Sequence, residues 1–173
     1  MLGYTLLGLL IEAVSGQNYI DYVSANILAP LGMTNTSFGV PNRVDADLSS
    51  VFRKSEERSA LVFRDIPANG LISSAEDMSL FIRALLTGGG EILASDTLDE
   101  MFSRQNENVA EDGDWRFGLG FFLTPTAGGR MRNLDTISHA ADFDDIEAHF
   151  IGIPQAGVGV LVMSNTQSNQ TTM

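Results

Sequence analysis

The chain holds 2 histidines, His139 and His149, and both lie beside its densest run of acids, Asp142, Asp144, Asp145 and Glu147. An imidazole that titrates near neutrality can orient a substrate, relay a proton or ligate a metal. Clustered carboxylates are hard oxygen donors of the kind calcium and magnesium take. The spacing of these acids does not follow the EF-hand pattern, and no turn glycine sits among them. A solvated acidic loop is therefore the better reading, and no metal ligand is assigned. Carboxylates near His139 favour its protonated form. His149 alternates with apolar residues and reads as a packed strand residue rather than a ligand. Ser138 directly precedes His139 and could touch a substrate, but no base is arranged to activate it. Ser73 and Ser74 stand three residues before Glu76 and Asp77, ahead of an apolar stripe, which is the spacing of helix caps rather than of nucleophiles. With 0 cysteines, thiol nucleophiles, thiolate metal sites and disulfides are excluded.

The elements that carry these groups can be read from periodicity. Leu6, Leu7, Leu10, Ile11 and Val14 recur at helical spacing up to Gly16, and so many apolar positions predict a helix buried on most sides. A second helix is expected from Asn18 to Leu28, stopping before Pro30. Residues 31–69 show little periodicity and suggest an irregular excursion with one or two short strands. Met78, Phe81, Ile82, Leu85 and Leu86 form one apolar face of a capped helix closed by Gly88-Gly89-Gly90. That glycine run ends a helix instead of opening one, so it is no phosphate loop. Leu93 to Phe102 reads as a further short helix with Ser95 as cap.

From residue 115 the pattern turns strand-like. Phe117–Leu123, Leu134–Ala140, Ile146–Ile153 and Val158–Met163 are the candidates, the last two joined by Pro154-Gln155-Ala156-Gly157, a turn with proline early and glycine late. Trp115, Phe117, Phe121 and Phe122 read as core or cleft wall. The fold class is therefore α+β, with helices first and an antiparallel sheet after. Residues 1–110 form the mainly helical part and 115–165 the sheet part of a single domain, since no repeat or low-complexity linker divides them.

A formal charge of −12 leaves nothing to neutralise phosphates, which argues against nucleic acid and against anionic membrane surfaces as partners. No apolar run reaches the ~20 residues that span a bilayer. The apolar stretch Leu6–Ile11 lacks a basic leader and does not read as a signal peptide.

Several segments, in order, resemble the serine β-lactamase-like hydrolases, the group of class C β-lactamases, DD-peptidases and related esterases. They are Leu2-Gly3-Tyr4-Thr5-Leu6-Leu7-Gly8, Val14-Ser15-Gly16, Pro30-Leu31-Gly32-Met33-Thr34-Asn35-Thr36-Ser37-Phe38, Ala68-Asn69-Gly70-Leu71 and Phe117-Gly118-Leu119-Gly120. The resemblance runs over nearly the whole chain and implies part of a β-lactamase/transpeptidase-like fold. It also implies a hydrolase acting on a small-molecule ester, amide or lactam through an acyl-serine intermediate, with no cofactor. His139 takes the position of the Lys-Thr-Gly or His-x-Gly motif that orients substrate, which makes Ser138, Ala141 and Asp142 its candidate substrate-binding neighbours. By that alignment Asp142 carries the N–H that faces the oxyanion.

Two departures follow from the same resemblance. The chain contains no Ser-x-x-Lys, and the tyrosine of the family's Tyr-x-Asn motif would fall just before Met1. The expectation is a C-terminal portion truncated at both ends, inactive alone, whose exposed sheet face and open edges favour self-association. Where the family commonly reads His-x-Gly-Gly-x-x-Gly, this chain fills three glycine positions with Ala141, Asp142 and Asp145. Filled glycines cost room or conformational freedom, and a carboxylate at Asp142 opposes developing negative charge. A non-catalytic module that binds through a degenerate cleft is the alternative reading. Relatives are often exported, and the compartment of this chain stays open.

Overall fold

The structure, a computed structural model, describes residues 2–39, 48–53, 56–58, 63–125, 134–143 and 146–166. The chain forms two compact units, Met1–Leu80 and Phe81–Met173.

In the first unit α1 spans Leu2–Ser15, and Gly16 ends it in a left-handed conformation that suits glycine. The expectation that α1 is buried on most sides fails. Its only buried residue is Gly8, while Leu2, Leu6, Leu7, Leu9, Leu10 and Val14 are exposed. Gly8 faces Pro67 of α4 (Ile66–Asn69), and a Cβ there would lie 2.3 Å from the Pro67 ring. The apolar pattern showed what the helix could bury, and among the described residues little comes up to meet it.

Helix α2, Tyr19–Val23, opens on Asn18, whose side chain accepts the N–H of Ile20, while Glu12 accepts the N–H of Tyr19 at 2.9 Å. The helical path does not stop before Pro30. It widens into a π turn over Ser24–Leu28 and continues as α3, Ala29–Leu31, to a left-handed Gly32. The wider turn moves the preceding carbonyls off the proline ring, which is how a helix tolerates it. Strand β1 (Ser37–Phe38) pairs with β4 (Leu71–Ile72), and β2 (Val51–Arg53) with β3 (Glu56–Arg58), more short strands than the sequence suggests.

Helix α5, Ala75–Leu86, is capped by the second of the two serine candidates: Ser74 Oγ accepts the N–H of Asp77 at 3.1 Å. The Asp77 carboxylate does not complete a capping box. It is buried (2% exposed) and accepts the Asn35 N–H and the Thr36 hydroxyl, each at 2.7 Å, while Ser73 Oγ joins Thr36 Oγ1 at 2.8 Å. The loop after α3 is thereby fastened to the start of α5.

The second unit is built on an antiparallel meander, β5 (Arg116–Phe117), β6 (Phe122–Pro125), β7 (Asp135–Phe143), β8 (Ile146–Ile153) and β9 (Val158–Ser164), in that spatial order. The turn between β8 and β9 is the expected one, with Gly157 left-handed at its end. Ile82 and Leu85 of α5, Leu98 of α6 (Ser95–Met101), Phe121, Ile137 and Phe150 make the core; Leu85 is 1% and Ile137 2% exposed. Gly152 and Gly159 pair directly across β8 and β9, and a Cβ on either would crowd Leu86. The two glycines thus leave a notch that the end of α5 fills. Ser95 is the first residue of α6 rather than its cap, and Ala94 precedes it with no side-chain bond.

Candidate functional site

Strand β7 carries every residue proposed for the site, and its two-residue period divides them. His139 pairs with Phe150 and Ala141 with Ala148, so these two share the face on which Phe150 enters the core. Ser138 pairs with Ile151 and Asp142 with Glu147, on the opposite face. Side chains of Ser138 and Asp142 are therefore not brought to His139. Ala141 and Asp142 continue a regular ladder as far as Phe143–Ile146, a backbone form open to any residue. Asp145, the third filled glycine position, lies outside the described residues, as does Asp144.

The two neighbours of β7 cover it unequally. Its ladder with β6 ends at the pair Phe122–Ser138, whereas its ladder with β8 runs on to Phe143. The described β6 ladder does not continue past Ser138. Beyond the end of a ladder an antiparallel strand presents N–H and C=O groups outward.

His139 is exposed, and its ring centroid lies 6.4 Å from that of Phe122, whose pair with Ser138 puts it on the other face by register. Partial burial pushes its pKa below the usual 6.5, against a smaller upward pull from a hydrogen bond with the Ala140 backbone. This direction corrects the expectation that the acidic run favours the charged ring. The cause is burial; of the four acids, Asp142 and Glu147 pair with each other on the far face of the sheet, and Asp144 and Asp145 lie outside the described residues. His149 pairs with Ala140 on that same far face and is half-buried, in keeping with a packed strand residue.

The aromatic residues separate into two groups. Phe121 joins the core edge-on to Phe102, at 5.4 Å. Trp115 and Phe117 instead gather on Phe122, at 5.9 and 5.1 Å, beside His139. Sequence reasoning missed the residue that fixes this group, Asn106, which is buried and bonds the backbone of both Trp115 and Phe117. Its only signal is an asparagine in a loop rich in turn residues, too weak to single it out.

Among the described residues no group of three His, Asp or Glu side chains could hold a metal ion, and no helix is long and apolar enough to cross a membrane. A cavity of ≈ 230 Å³ lies in the first unit, lined in part by Gly8, Glu12, Tyr19, Arg64 and Pro67, and contains none of the proposed site residues.

Helices followed by a five-stranded antiparallel sheet make an α+β architecture. The chain belongs to the beta-lactamase family, whose model matches residues 1–172. It is 26% identical over 155 residues to a putative D-alanyl-D-alanine carboxypeptidase of Escherichia coli O157:H7, covering 72% of this chain and 36% of that protein. A class C beta-lactamase structure superposes with a TM-score of 0.77 at 15% identity, over 97% of this chain and 52% of the other. The octameric penicillin-binding protein homologue from Pyrococcus abyssi gives 0.75 at 24% identity, over 95% and 37%. The chain thus spans about a third of the curated relatives it matches at greatest coverage.

Proposed function

We propose that this chain is the substrate-orienting portion of a serine hydrolase that cleaves an ester or amide through an acyl-serine intermediate, with the nucleophile supplied by residues outside this chain. The observation that supports this most is the unequal cover of β7, whose ladder with β6 ends at Ser138 while its ladder with β8 runs on to Phe143. An extended substrate can lie along β7 past Ser138 as an added strand, so that main-chain bonds fix its carbonyl in place. The serine oxygen then attacks the carbonyl carbon, the alcohol or amine leaves, and water releases the acyl group from serine. Backbone N–H groups of the same stretch suit the oxygen that becomes negative in the tetrahedral state. His139, largely neutral at pH 7 because its pKa is lowered, can donate or accept a hydrogen bond to the substrate. Asp142, which the alignment puts at the oxyanion position, carries a charge that favours uncharged esters over substrates bearing a carboxylate.

The test is turnover of a short p-nitrophenyl ester by the longest natural form of the protein, with and without a serine-directed phosphonate. Inhibitor-sensitive turnover that falls about a hundredfold in kcat/KM on His139→Ala is expected. The alternative, a binding module with a degenerate cleft, draws on the filled positions Ala141 and Asp142. Ligand binding with no turnover would favour it.

A further inference from the structure

Asn106 is buried, and its side-chain amide makes four hydrogen bonds. Nδ2 donates to Asp112 Oδ2 at 2.7 Å and to the Trp115 carbonyl at 2.9 Å, and Oδ1 accepts the Phe117 N–H at 3.1 Å and Arg104 Nε at 3.2 Å. Two of these bonds grip the backbone on either side of Arg116. The rings carried by the gripped residues both rest on Phe122, and Phe122 is the aromatic neighbour of His139. Trp115 is 65% exposed, so burial does not hold it in place. Its position follows from the backbone clasp.

We propose that Asn106 is a positioning residue for His139, acting through Trp115 and Phe117 to fix the Phe122 ring, which stands where the β6 ladder ends, 6.4 Å from the imidazole. The inference rests on the reading of His139 as substrate-orienting. An amide is what the place requires, because the site needs two donors and an acceptor on one short side chain. Aspartate would lose both donors and set a second charge against Asp112. Leucine would leave Asp112, the Trp115 carbonyl and the Phe117 N–H without their partner. Charged groups on the surrounding strands are Arg116 on β5, Asp135 and Asp142 on β7 and Glu147 on β8, of which Asp142 and Glu147 project from the other face.

The chain has 1 tryptophan, so its emission reports on this aromatic group alone. The experiment follows the His139 ring resonances and their titration by NMR, with Trp115 emission, in Asn106→Ala, Phe122→Leu and the double variant. In Asn106→Ala the Trp115 emission should move to the red, the His139 resonances should shift and its pKa should rise toward the ordinary value. Phe122→Leu keeps an apolar side chain at the contact and should produce the same change at His139. The double variant should add nothing further, since both changes cut one path. Should Asn106→Ala fail to fold, Asn106→Asp and Phe122→Leu decide: each must move His139, and aspartate must not restore it. An unmoved His139 in a folded variant, or effects that simply add, overturns the proposal.

Activity of the longest natural form separates this inference from the reading beneath it. Asn106→Ala should lower kcat/KM about tenfold in the presence of His139 and not at all in a His139→Ala background. If NMR shows the coupling while His139→Ala leaves turnover unchanged, the role of His139 falls and the relay stands.

Discussion

Helices α1 and α5 are both built largely from leucine, isoleucine and alanine, yet the structure treats them in opposite ways. Helix α5 buries Ile82, Ala84 and Leu85, whereas α1 buries Gly8 alone and leaves Val14 80% exposed. The difference lies in what stands opposite. The end of α5 meets a surface of matching shape, the Gly152–Gly159 notch beside the Phe150 ring. Helix α1 buries only Gly8, against Pro67, and is tied to the start of α2 by Glu12. An apolar stripe states a demand for burial, and only a shaped partner satisfies it.

The sharpest break of this comparison is truncation at equal chemistry. Leu85→Ala should cost about 3–5 kcal/mol in urea unfolding, because the cavity is closed on all sides. Asp77→Ala should come next, at about 3 kcal/mol, since it strips the Asn35 N–H and the Thr36 hydroxyl of a charged acceptor. Both are measured as a shift in the unfolding midpoint with the slope unchanged. Gly8→Ala tests the one buried position of α1. The new Cβ cannot share space with Pro67, and the ~1 kcal/mol that alanine gains in a helix does not offset overpacking of about 1–3 kcal/mol. A small net loss of thermal stability is expected, and a gain would show that α4 moves freely.

A smaller effect concerns His139, whose folded pKa lies below 6.5. Between that value and 6.5 the unfolded chain binds more protons, so stability rises with pH across the window. Its contribution is full above 6.5 and is lost as pH falls through the folded pKa. His139→Gln should flatten this slope in midpoint-versus-pH data. Least of all, Leu7→Gln on the open side of α1 should stay within about 0.5 kcal/mol of the parent. A loss as large as that of Leu85→Ala would mean the two helices do not differ after all.

What could be read from the sequence was local. The Ser74–Asp77 spacing and the stripe of α5, and the meander with its Pro-Gln-Ala-Gly turn, each lie within one stretch of chain. The π turn was hidden because Pro30 signals a stop and gives no hint that a wider turn can carry the helix past it. The notch was hidden because Leu86 and the glycines it meets are distant in sequence. His139 was placed by resemblance, but the sign of its pKa shift follows from its partial burial, which no spacing reports. Asn106 escaped although its partners are near, since no recurrent spacing marks a side chain that bonds to backbone.

Strand β9 closes one side of the sheet, with no further strand beside it among the described residues. Its seven residues hold neither charge nor proline, and Val158, Val160 and Val162 are exposed. Two copies meeting along this edge could zip their backbones together, while a charge of −12 on each keeps them apart. Ionic strength therefore becomes a colloidal control. The repulsion reaches about 30 Å at 0.01 M salt and only about 3 Å at 1 M. Light scattering should accordingly report small particles in dilute buffer and growing ones as salt is added, the reverse of what a charge-paired assembly would do.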